Sequence, residues 1–180
     1  MVHYQYEYGH ADTDWLLLRW HAELVQKPEF AWTFCEGMAS PSAFLAYFKS
    51  PRTLVFELDG SNQLDQAIWF EPSMSGAYLG MWSSEELRRT PGGKSRIGAF
   101  FLKVMASAFR TVPVLVSTIK DRPGVDQFLT MHGRIGFVVL GAIPYMFDGC
   151  SSYVLYLSKD NFYKHNARLL DRFGIKEEES

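Results

Sequence analysis

The sequence predicts an α+β fold, a mixed and mostly antiparallel central sheet flanked by helices. Three observations carry this. Strand-like runs at residues 53–58, 64–71 and 77–83 are separated by Asp59-Gly60-Ser61-Asn62 and by the 72–76 stretch, turn signals that fit an antiparallel meander. An amphipathic helical stretch, 95–110, is followed by an almost wholly apolar run, 112–119, as in a βαβ crossover into a covered strand. Two further strand-like runs, 137–147 and 152–157, meet at Asp148-Gly149.

Each element has a local cause. Tyr4, Tyr6 and Tyr8 alternate with Gln5 and Glu7, the period of a half-buried edge strand. Asp12, Thr13 or Asp14 can cap a helix running to Val25, with Trp15, Leu18, Ala22 and Val25 as its apolar stripe. Lys27-Pro28 ends it. Ser40-Pro41 pairs an N-cap with proline at the first helical position, and Phe44, Leu45 and Phe48 face inward up to Pro51. In the helix at 95–110, Ser95 is the expected N-cap, and Ile97, Phe101, Val104, Met105 and Ala108 form one face. Asp121 and Pro123 open a further helix that Gly133 is expected to stop. A closing helix is expected at 161–173. Residues 1–175 read as one domain, with a charged tail at 176–180.

Composition excludes several classes. A net charge of −2 gives no global basic field, so neither nucleic acid nor an anionic membrane is expected as a partner. No apolar run approaches the roughly 18 residues of a membrane span, and the first residues lack the pattern of a signal peptide. Cys35 and Cys150 are then expected as reduced thiols in a cytoplasm. The histidines and cysteines show no metal-ligand spacing, so no metal is expected. Open edge strands leave room for a homodimer.

The most informative stretch is the strand at 77–83, the turn after it and the helix at Ser95. A strand feeding a turn into a helix N-terminus is a common phosphate cradle, because free N–H groups and the helix dipole both favour an anion. Arg88, Arg89, Lys94 and Arg96 add positive charge around it.

With these motifs in these slots, residues 3–163 resemble the GNAT superfamily of N-acetyltransferases. The strand–turn–helix carries the first part of the resemblance and the 112–119 strand the second. The third is Leu129-Thr130-Met131-His132-Gly133-Arg134-Ile135-Gly136-Phe137, similar to the family's aromatic residue before a Gly-Phe pair. The resemblance implies direct acetyl transfer from acetyl-CoA, or another acyl-CoA, to an amine acceptor within a ternary complex. Pantetheine would lie in a V-shaped gap between the two strands. The pyrophosphate would be held by Arg89, Gly92, Gly93, Lys94, Ser95, Arg96, Ile97 and Gly98, and the thioester by the backbone of Met81, Trp82 and Ser83, in oxyanion-hole fashion. The turn departs from the family pattern in either register: one places Lys94, and the other Arg96, where a small residue stands.

His132 stands where many family members have a proton-donating tyrosine, a job that imidazole chemistry suits. An amine with a pKa near 10.4 must lose a proton before attack, and Glu71, at the end of its strand, is the candidate base. Trp15, Trp20, Trp32, Phe34 and Tyr47 are candidates for an aromatic acceptor wall. The rival expectation is a catalytically silent fold of the same type acting as a binding or structural protein.

Overall fold

A computed structural model of the chain describes residues 3–6, 9–27, 30, 34, 38–49, 51–73, 76–147 and 149–176. Tyr8, the stop at Pro28, Trp32, Cys35, Asp148 and the last four tail residues lie outside the described residues. The fold is α+β, with a mixed sheet in the strand order β1-β2-β3-β4-β5-β7-β6 and helices flanking it. By contact density the chain forms two compact units, Met1–Pro72 with Gly80–Ile97, and Ser73–Leu79 with Gly98–Ser180.

In the first unit the expected meander is present. β1 (His3–Gln5) pairs antiparallel with β2 (Thr53–Leu58), and β2 with β3 (Leu64–Ser73). The turn between β2 and β3 is fixed by Asp59, whose Oδ1 accepts from the Ser61 and Gln63 amides at 2.8 Å each. α1 (Ala11–Leu24) starts at His10 without a side-chain cap. Its buried face is Leu16, Leu17, Trp20, His21 and Leu24, whereas Trp15 is 48% exposed. The expected stripe was one position out of register. Residues 15–18 are all apolar, and the outward face is set by the Arg19–Glu23 pair, which lies at the surface. α2 (Pro41–Tyr47) begins as expected, with Ser40 accepting from the Ala43 amide. An aromatic core joins these pieces. The Phe34 ring stacks on Trp69 at 5.3 Å, and Trp20 packs against Phe34, Phe44 and Phe48.

Residues 84–94, expected as the turn between the 77–83 strand and the helix, contain a short helix, α3 (Glu85–Arg89), capped by Ser84. The next helix, α4 (Gly93–Ala108), starts two residues before the expected N-cap, so Ser95 lies inside its first turn. β4 (Gly76–Ser83) and α4 each have residues in both units.

In the second unit, β4 pairs parallel with β5 (Val114–Lys120) at Ala77↔Leu115 and Tyr78↔Val116, the expected crossover. Just beyond that pairing, the Ser117 hydroxyl donates to the Leu79 carbonyl at 3.1 Å. β5 starts after Pro113, which has no N–H to donate to a ladder. β5 pairs antiparallel with β7 (Cys150–Ser158), and β7 with the outer strand β6 (Val138–Phe147). Cys150 opens β7 and is an exposed free thiol. α5 (Val125–Arg134) runs through Gly133. The left-handed residue that stops it is Gly136, at φ +100°, where a Cβ would meet the Asn161 carbonyl oxygen at 2.8 Å. α6 (Lys159–Arg172) is capped by Ser158.

Candidate active site

β4 delivers Met81, Trp82 and Ser83, all half-buried, to the start of the turn. Ser84 then organises the chain. Its amide donates to the Asp65 carbonyl at 2.8 Å, its hydroxyl donates to Asp65 Oδ1 at 2.8 Å, and its oxygen caps α3 by accepting from the Leu87 amide at 3.0 Å. α3 complements its own dipole, with Glu85 and Glu86 in the first turn and Arg88 and Arg89 in the last.

The entry to α4 depends on two glycines. Gly92 takes φ +80°, and a Cβ on Gly93 would lie 1.7 Å from the Leu87 carbonyl oxygen. The Gly93 amide bonds to Thr90, and those of Ser95 and Arg96 bond to Gly92. No acidic residue occupies the first turn of this 16-residue helix, and Lys94 and Ser95 are exposed there. The partial positive charge of the helix end is therefore not neutralised locally. Ile97 and Gly98 follow, half-buried.

The expected basic cluster does not act as one group. Arg89 pairs with Glu85 at 2.5 Å on the surface. Arg96 turns inward: its Nη2 lies 2.8 Å from Asp65 Oδ2 and 3.2 Å from Glu57 Oε2, whose side chains are 8% and 2% exposed. Gln66 Nε2 also donates to Glu57 Oε2, while Glu57 Oε1 has no partner among the described residues. Two buried carboxylates thus share one guanidinium.

His132 is buried at 6% exposure on α5. Its Nδ1 lies 2.7 Å from the Phe128 carbonyl oxygen, which can only accept, so Nδ1 carries the proton. The ring meets Phe137 edge-on at 5.2 Å. Burial pulls its pKa below the ordinary 6.5, and the carbonyl bond offsets this only in part. In the resulting neutral form, Nε2 is a proton acceptor. Glu71 is held by Arg52 through both oxygens, at 3.1 and 2.8 Å, and that guanidinium also covers the Tyr47 ring at 4.3 Å.

The aromatic set expected for the acceptor wall is divided. Trp20 and Phe34 belong to the core, Trp15 is exposed, and Tyr47 accepts from Trp69 Nε1 at 3.2 Å. Sequence reasoning missed Glu57, Asp65 and Ser84. The first two sit in strands, Glu57 between Phe56 and Leu58 and Asp65 directly after Leu64, where a buried carboxylate is costly without a partner, and that mismatch was the available signal. Among the described residues, no group of three or more His, Cys, Asp or Glu could hold a metal ion, and no helix is long and apolar enough to cross a membrane.

The fold is that of the GNAT acyl-CoA N-acyltransferases. A spermidine N-acetyltransferase from Vibrio cholerae, solved with CoA and spermine, matches at a TM-score of 0.64 and 11% identity, over 89% of this chain and 97% of that one. A ribosomal-protein-alanine N-acetyltransferase from Brucella melitensis matches at 0.62 and 12%, over 88% and 99%. No family model and no curated protein sequence matches the chain.

Proposed function

We propose that this chain is an acyl-CoA-dependent N-acyltransferase that moves an acetyl group from acetyl-CoA directly to an amine. The observation that carries this is β4 running through Gly92 and Gly93 into a long helix whose first turn is free of acid and exposes Lys94. This occurs in a fold whose similar solved structures are acetyltransferases, one of them solved with CoA and an amine. Lys94, with the α4 N-terminus, takes the pyrophosphate. Arg89 and Arg96, which are engaged with Glu85 and with Glu57 and Asp65, shape the turn rather than grip the anion. The backbone of Met81, Trp82 and Ser83 polarises the thioester carbonyl.

The amine nitrogen attacks the carbonyl carbon, the C–S bond breaks, and the proton lost by the amine ends on the CoA sulfur. His132, neutral in the resting protein, is the group we assign to carry that proton. An acyl-CoA co-substrate and an exposed thiol at Cys150 suit a reducing, cytoplasmic compartment.

The test is thermal stability with acetyl-CoA. At 100 times its dissociation constant a ligand adds about 2.7 kcal/mol. No shift at millimolar acetyl-CoA would overturn the proposal. Lys94→Ala should weaken acetyl-CoA binding about fivefold, roughly 1 kcal/mol, and an unchanged affinity would remove Lys94 from the site.

A further inference from the structure

A cleft of about 280 Å³ opens in the first unit, bounded by the end of α1, the β2–β3 turn, the start of β3, the end of β4 and α3. Five carboxylates line it, Glu23, Asp59, Asp65, Glu85 and Glu86, against two cations, Lys27 and Arg89. The surplus is real after pairing. Arg89 is matched by Glu85, and among the described residues Glu23 reaches a surface Arg19 at 3.4 Å. Asp65 has to share Arg96 with buried Glu57. Burial would push the Asp59 carboxyl up, but bonds from Gln63 and Ser61 and the charge of Arg19 outweigh it and hold it below 3.8, so it is ionised.

Charge alone would make this a solvated acidic patch. A second feature sets it apart. Trp20, part of the cleft wall and only 3% exposed, has an indole N–H with no acceptor among the described residues. Trp82 also lines the cleft, its ring 5.2 Å from that of Trp20. The aromatic wall suits cationic groups, and the N–H calls for a lone pair. The sign of the charge is wrong for the phosphates of an acyl-CoA.

We propose that this cleft binds a polycationic amine, one with at least two ammonium groups and a remaining lone pair, as a partly protonated polyamine has. Its role as the acceptor rests on the acyltransferase reading above. The occupancy of the cleft does not.

The experiment is titration calorimetry at low salt on the full chain with spermidine, with butylamine as a single-charge control. Acetyl-CoA is titrated separately on the same preparation. Spermidine should bind at least about tenfold more tightly than butylamine, and added salt should weaken it. The surface double substitution Glu23→Gln with Glu86→Gln should weaken spermidine about tenfold and leave acetyl-CoA affinity unchanged. Absence of spermidine binding overturns the proposal, as does equal affinity for butylamine or an unaffected double variant. Spermidine binding without acetyl-CoA binding would sustain the cleft and sink the acyltransferase reading. Acetyl-CoA binding without spermidine binding would do the reverse.

Discussion

Arg96 Nη2 lies 2.8 Å from Asp65 Oδ2, and the same nitrogen lies 3.2 Å from Glu57 Oε2. A guanidinium from the first turns of α4 is therefore bound to carboxylates of β2 and β3, and through Asp65 to the Ser84 cap of α3. This ties the turn that would hold a cofactor to the buried sheet behind it. Removing the cation leaves two buried acids with only neutral donors among the described residues, Gln66 on Glu57 and Ser84 on Asp65. Arg96→Met should cost about 2–4 kcal/mol, below the figure for a fully enclosed pair because a third of the Arg96 side chain is exposed. Arg96→Lys should recover part of it. Urea unfolding measures both, and a loss under about 1 kcal/mol for the methionine variant would mean that the triad is a surface pair.

His132 gives the protein an acid-sensitive element. Its folded pKa lies below the ordinary 6.5 because burial disfavours the imidazolium. As pH falls through 6.5, the unfolded chain takes up a proton that the folded chain refuses. The stability held above 6.5 is lost on acidification until the depressed folded pKa is reached. Below that the two states are protonated alike and the contribution stays flat. Stability measured from pH 8 downward should show this fall, and His132→Asn should flatten it. An identical slope in the variant would assign the acid sensitivity to other groups.

The elements that position the site were largely legible in the sequence, because turn chemistry and periodicity agree there. Asp59 makes the bonds its turn motif predicts, and Ser40-Pro41 starts α2 as expected. α1 was read one position out because four consecutive apolar residues admit two faces, and only tertiary packing chose between them. α3 was missed although its signal is local: Ser84, then two acids, then two arginines, the order that a cap and a helix dipole favour. The inward pairing of Arg96 was not legible for a deeper reason. A basic residue in a turn looks like a ligand for anions until the distant acids that claim it are known, and Glu57 and Asp65 lie 39 and 31 residues earlier in the chain.

The two candidate proton carriers differ in what already holds them, and this separates them experimentally. Glu71 is fixed by Arg52 through two charge-assisted bonds, and a carboxylate matched in this way has both oxygens committed. Its side chain is 42% exposed, so breaking the pair should cost no more than about 1 kcal/mol. His132 has one nitrogen committed to the Phe128 carbonyl and one left to exchange a proton. Glu71→Gln should therefore leave turnover within about threefold of the parent protein, while His132→Phe should lower kcat by about 100-fold. Acetyl-CoA affinity should be unchanged in both. The measurement is steady-state release of the CoA thiol from acetyl-CoA, with spermidine as the proposed acceptor. A large loss in Glu71→Gln with full activity in His132→Phe would reverse the assignment, making the carboxylate the base and the histidine a packing residue against Phe137.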